Sequence, residues 1–122
     1  MPGAAFPRRL RLQQPAQFQA VFDGAEIRVS SGELLLLARS NQLPHPRLGL
    51  VVGRKVCRLA SQRNRIKRLV RESYRLRQEN LAGFDIIVLA RAGIAKLEQP
   101  ALAERITSQW TRLLKRLVPQ PR

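Results

Sequence analysis

The sequence predicts an α+β fold in a single domain, with the element order helix, three strands, helix, strand, helix. Three observations carry this. The chain has 122 residues, 44% of them hydrophobic, which suffices for one compact core and is too little for two ordinary domains. The spacing of apolar residues switches along the chain from helical to strand-like and back. Finally, a long helical stretch stands between two strand-like runs, Leu48–Arg54 and Phe84–Arg91, a crossover unit that predicts a parallel pair of strands.

The elements follow in order. "MPGAAFPRRLRL" is Pro-rich and basic with no periodic pattern, so residues 1–13 are expected to form a mobile arm ahead of a domain spanning 14–118, with 119–122 as a tail. In "QQPAQFQAVF", Pro15 suits a first helical position, and Phe18, Val21 and Phe22 share one face. The helix runs over about Pro15–Asp23, and Gly24 can end it. "EIRVSSGELLLLAR" is strand-like and is broken by "SSG" into the arms of a hairpin. Its continuous run Leu34–Leu37 marks a strand covered on both faces. "SNQLPHPR" is a loop, and its one histidine, His45, is expected to be an exposed loop residue. Leu102, Ile106, Trp110, Leu113, Leu114 and Leu117 recur at helical spacing in the last element, with Pro100 in its first turn and Pro119 as its stop. Trp110 and the single cysteine, Cys57, are read as packing residues.

Charge points to the partner. The chain has 23 Lys and Arg against 8 Asp and Glu, a formal net charge of +15, and such a surface repels itself unless a polyanion lies against it. No run approaches the roughly 18 apolar residues of a spanning helix, and one cysteine forms no internal disulfide, which suits a reducing cytoplasm. Between Ser61 and Gln78, "SQRNRIKRLVRESYRLRQ" holds seven Arg and Lys. At roughly 100° per residue, Ile66, Leu69, Val70, Ser73 and Leu76 fall in one sector, and Asn64, Lys67, Arg68, Arg71 and Arg75 fall nearly opposite. One face is built for a core and the other for an anion. Glu72 can pair with Arg68 or Arg75, which leaves most of these cations without a partner on the helix. Arg63, Asn64 and Arg65 add donors around a helix start that already attracts phosphate, and Asn can both donate and accept towards a base or a 2′-hydroxyl.

Catalytic constellations are missing from the sequence. Asp23, Glu26, Glu33, Glu72, Glu79, Asp85, Glu98 and Glu104 show no metal-ligand spacing, and neither a Gly-rich phosphate loop nor a nucleophile elbow is present. The residues argue for a binder with no catalytic side chains and no metal or cofactor of its own.

"QRNRIKRLVRESYR" resembles the signature of the bacterial ribonuclease P protein component, with an Arg-Asn-Arg core followed by Ile-Lys-Arg. "RLRLQQPAQFQAVFDG" is similar to that family's first helix with paired phenylalanines, "RLGLVVGRKV" to its third strand and "FDIIVLARAG" to its fourth. The resemblance implies an α-β-β-β-α-β-α sandwich of the ribosomal protein S5 domain 2-like type. Its four-stranded mixed sheet would contain a left-handed crossover, against the usual right-handed rule. It also implies that the partner is a catalytic RNA subunit, which uses Mg²⁺ to remove the 5′ leader of precursor tRNA. The protein would assist that RNA and grip the leader, without a membrane or an obligate protein partner.

Carried onto this chain, the resemblance places Arg63, Asn64, Arg65, Lys67, Arg68 and Arg71 against the RNA subunit, with Asn64 and its neighbours also near the leader path, and the basic residues Arg54, Lys55, Arg9 and Arg11 are further candidates for RNA binding. Phe18 and Phe22 would line a cleft for single-stranded leader, where stacking tolerates any base. Leu35 and Leu37 would stand in that cleft where family members often have an aromatic. A ribosomal or other structural RNA-binding protein of the same fold is the alternative reading. A DNA regulator is disfavoured because no helix and tight turn precede the basic helix.

Overall fold

The computed structural model describes residues 10–117. Its elements are α1 (Pro15–Gly24), β1 (Ile27–Ser30), β2 (Leu34–Ser40), β3 (Arg47–Val51), α2 (Ala60–Arg75), β4 (Phe84–Ala90) and α3 (Gln99–Leu117), with short 3-10 turns at Gln78–Leu81 and Ala92–Lys96. The strands form one four-stranded sheet in the order β1-β2-β4-β3. β2 pairs antiparallel with both β1 and β4, whereas β3 runs parallel to β4. The parallel pair needs a crossover, and α2 supplies it.

The sheet is covered on both faces, as the leucine run of β2 requires. Leu34 and Leu36 enter the larger core with Val29, Leu48, Ile86 and Val88, beneath α2 and α3. Leu35 and Leu37 point the other way and form a smaller cluster with Leu12, Val21 and Ile87 under α1. Alternation of side chains along a strand makes this division unavoidable. α1 begins at Pro15, and Gln17 Oε1 accepts the main-chain N–H groups of Gln13 at 2.6 Å and Gln14 at 2.9 Å, satisfying donors at its start.

α2 and α3 are locked together through polar atoms as well as packing. Trp110 Nε1 donates to Ser73 Oγ at 2.8 Å, and Ser73 Oγ in turn donates to the Val70 carbonyl at 2.9 Å. The Tyr74 and Trp110 rings lie 6.1 Å apart, and both are fully buried. Burial pushes the Tyr74 phenol well above its ordinary pKa, and the negative charge of Asp85 adds to the shift. Asp85 is itself buried, accepting from Asn41 Nδ2 at 2.9 Å and from Arg47 Nε and Nη2 at 2.8 and 2.7 Å.

Several expectations are corrected. Residues 10–13 are not a free arm: Leu10 and Leu12 are buried, and Leu12 N donates to the Leu48 carbonyl at 2.9 Å, laying this segment along β3. The remainder of the expected arm and the expected tail, 119–122, lie outside the described residues. β3 ends at Val51, so Arg54 stands in a turn. Leu76 is 69% exposed, because α2 ends at Arg75 before its last apolar position reaches the core. Tyr74, at the margin of the apolar sector, is buried instead. His45 is half-buried, its Nδ1 lying 3.2 Å from the Pro46 carbonyl. Cys57 and Trp110 are both buried.

Candidate nucleic-acid interface

α2 packs Ile66, Val70 and Tyr74 inwards, which turns its cations outwards by periodicity alone. Asn64, Arg68 and Arg71 are exposed, and Arg65 and Lys67 are half-buried. Glu72 forms an ion pair with Arg75. None of Arg65, Lys67, Arg68 and Arg71 is paired with a described carboxylate, so the face carries an uncompensated positive field of the kind a phosphate backbone answers.

Arg63 departs from this pattern. Its Nη1 donates to the carbonyls of Cys57 and Arg58, both at 2.9 Å, and so pins the turn that leads into α2. Arg54 and Lys55 are exposed in that same turn region. Arg63 therefore holds the loop that presents Arg54 and Lys55, a duty that its place in the basic run did not announce. Arg9 lies outside the described residues.

The two phenylalanines of α1 have different surroundings. Phe18 is half-buried and packs against the small cluster, while Phe22 is 40% exposed. Arg11, Leu12, Phe18, Gly49, Lys67 and Arg71 line a groove of about 160 Å³. The fold thus brings together one aromatic, two cations of α2 and a third cation from the segment beside β3, residues that are far apart in sequence. The backbone of β3 can form this wall because Gly49 has no side chain; a Cβ there would meet Phe18 Cε1 at 2.5 Å.

Leu35 and Leu37 are 5% and 1% exposed. They form the support under α1, and open surface on this side of the sheet is left to their neighbours. Val51 and Leu89 lie on the same face, opposite one another in the β3–β4 register, and both are only partly buried. No motif in the sequence singles out these two. The available signal was alternation along β3 and β4 in phase with Gly49 and Ile87. A second, larger hollow of about 530 Å³ lies on the other flank of α1, where the cations Arg39 and Arg47 are matched by the carboxylates of Glu26 and Asp85. Among the described residues no group of three or more His, Cys, Asp or Glu stands together as a metal site. No described helix is long and apolar enough to cross a membrane.

Comparison with known proteins bears on the family and the fold. A family profile described as Ribonuclease P matches residues 6–116. Among curated proteins, the Ribonuclease P protein component of Ectopseudomonas mendocina is 52% identical over 113 residues, covering 93% of this chain and 84% of that protein. The protein of the same description from Pseudomonas aeruginosa is 54% identical over 110 residues, covering 90% of this chain and 82% of the relative. Among solved structures, the RNase P protein of Staphylococcus aureus superposes with a TM-score of 0.73 at 27% identity, covering 87% of this chain and 93% of that one. The RNase P protein of Thermotoga maritima gives 0.72 at 29% identity, covering 89% and 98%.

Proposed function

The chain belongs to the bacterial ribonuclease P protein family and is a protein subunit of that tRNA-processing enzyme. From this premise we propose that its α2 face binds the RNA subunit, and that the groove between α1 and β3 grips the 5′ leader of precursor tRNA. The observation that carries the proposal is the groove itself, where Phe18 stands with Arg11, Lys67 and Arg71. An aromatic face for a base beside cations for its phosphates is the usual means of holding a single strand without reading its sequence.

In this reading the chemical step belongs to the RNA subunit, and the Mg²⁺ it requires is held by RNA. The chain offers no cluster of described acids for that ion. Its side chains contribute by binding and positioning: Asn64, Arg68 and Arg71 towards the RNA subunit, with Arg54 and Lys55 presented by the turn that Arg63 fixes, and Phe18 and Phe22 towards the leader. Arg lends itself to this because its planar fork matches phosphate oxygens. The complex would work in the cytoplasm, where the single Cys57 stays reduced.

The test is comparative binding. The complex reconstituted from the chain and a bacterial ribonuclease P RNA should bind precursor tRNA more tightly than mature tRNA, by a larger ratio than the RNA alone shows. An unchanged ratio would refute the leader grip.

A further inference from the structure

Arg105, Gln109, Arg112 and Arg116 follow one another in α3 at helical spacing, which sets them on one stripe of that helix. The stripe is laid along β1 and the turn after it. Arg105 Nη1 pairs with Glu33 Oε1 at 3.1 Å. Gln109 Nε2 donates to the carbonyls of Val29 and Leu34 at 3.4 and 3.3 Å. Arg112 Nη1 donates to the Ser30 carbonyl at 3.0 Å, and Arg116 Nη1 to the Arg28 carbonyl at 2.7 Å.

Gln109 is fully buried, and a buried amide is costly unless its groups are bonded. Its Oε1 accepts from Arg112 Nη1 at 2.9 Å, so a core glutamine helps to fix the place of a surface arginine. Arg112 and Arg116 are thus held by neutral acceptors alone, which position the guanidinium without cancelling its charge. Each of these bonds uses Nη1, leaving Nε and Nη2 as donors for a ligand. Arg112, Arg116, Lys115 and Arg28 are all exposed, and none forms an ion pair with a described carboxylate. The acids nearest in the fold are engaged elsewhere: Glu33 by Arg105, and Glu26 by the main-chain N–H and hydroxyl of Ser40. Capping the carbonyls of an edge strand protects it from pairing with other strands, but neutral donors such as Gln109 would do that equally well. Four exposed cations with no acid among them call for an anion.

β1 and β3 are the two outer strands of the sheet, and Lys67 and Arg71 of α2 stand beside β3. Between these edges both faces are closed, one by α1 over Leu35, Leu37 and Ile87 and the other by α2 and α3. At about 4.8 Å per strand spacing the edges lie roughly 14 Å apart. A strand of RNA held in the groove beside β3 therefore does not continue across the sheet, and the β1 edge is a separate surface.

We propose that the β1 edge, through Arg28, Arg112, Lys115 and Arg116, binds the phosphate backbone of a second segment of the RNA subunit, so that the chain bridges two parts of one RNA. This rests on the RNA-subunit reading above. The planar forks of Arg112 and Arg116 suit phosphate oxygens, and a large polyanion can meet both edges of so small a domain from outside without crossing its faces.

Hydroxyl-radical footprinting of a bacterial ribonuclease P RNA, at saturating concentrations of the chain, tests this. Wild type should protect two separate segments. The variants are Arg112→Gln with Arg116→Gln, and separately Arg28→Gln with Lys115→Gln, whose side chains make none of the main-chain bonds above. Each pair should lose protection of one segment and keep that of the other, the one that Arg68→Ala weakens. Affinity for the RNA subunit should fall roughly three- to tenfold and its salt slope by about 0.9 per lost duplex contact, while the ratio of precursor to mature tRNA binding stays as in wild type. An unchanged footprint and affinity, or a uniform loss from both segments, would overturn the inference. So would a lost tRNA ratio with the footprint intact, which would assign the edge to tRNA. If wild type protects no segment at all, the RNA-subunit reading has failed instead.

Discussion

Phe18 is seated on Gly49: a Cβ at Gly49 would stand 2.5 Å from Phe18 Cε1, 2.9 Å from Cζ and 3.0 Å from Leu12 Cδ1. The ring, the β3 backbone and the segment before α1 therefore share one space, and the missing side chain at position 49 makes it available. Gly49→Ala should displace the ring and destabilise the fold by about 1–3 kcal/mol, the usual cost of overpacking. Urea unfolding measures this, and a variant as stable as wild type would show that the ring has room to spare.

Phe22 and Phe18 should separate when changed singly. Phe22 is 40% exposed, so Phe22→Ala should alter stability by less than about 0.5 kcal/mol while lowering affinity for leader-bearing tRNA roughly fivefold to a hundredfold, as loss of a stacked base would. Half-buried Phe18 should lose about 2 kcal/mol of stability on truncation as well as leader affinity. Melting and binding measured on the same preparations distinguish the two residues.

Arg63 and Arg68 lie on the same helix but should fail differently. Arg63→Ala removes two charge-assisted bonds to carbonyls at 2.9 Å and should cost about 1–3 kcal/mol of stability. Arg68 is exposed, so Arg68→Ala should leave melting unchanged and reduce the salt slope of RNA-subunit binding by about one. Thermal melts and a salt titration of the affinity read out both.

Tyr74 is the only tyrosine of the chain, so its tyrosinate absorbance reports one site. Burial, with Asp85 adding to it, holds the phenol neutral above its ordinary range. Because the folded pKa is raised, the stability associated with the neutral form is complete below the unfolded value of about 10 and is lost as pH rises through the folded value. Alkaline titration should show absorbance rising late and together with unfolding, and Tyr74→Phe should flatten that limb of the stability profile.

Much of this was legible in the sequence, for reasons particular residues make plain. The leucine run 34–37 announces a strand covered on both faces because alternation sends successive side chains to opposite sides. The α2 face could be drawn because Ile66 and Val70 recur at helical spacing. What stayed hidden depends on contacts between distant segments. That Arg63 turns back to Cys57 and Arg58, that Leu10 and Leu12 dock beside β3, and that Arg112 and Arg116 reach the β1 edge are tertiary facts no local pattern encodes. Leu76 fits the periodicity yet is exposed, because periodicity does not say where a helix stops.

The central claim is that this chain works as the protein subunit of ribonuclease P, and reconstitution tests it most directly. The rate of 5′ leader removal from precursor tRNA is measured for a bacterial ribonuclease P RNA at low Mg²⁺, with and without the chain. Cations that neutralise RNA phosphates should replace part of the Mg²⁺ demand, so the chain should stimulate cleavage strongly there and little at high Mg²⁺. No stimulation at any Mg²⁺ concentration would contradict the account.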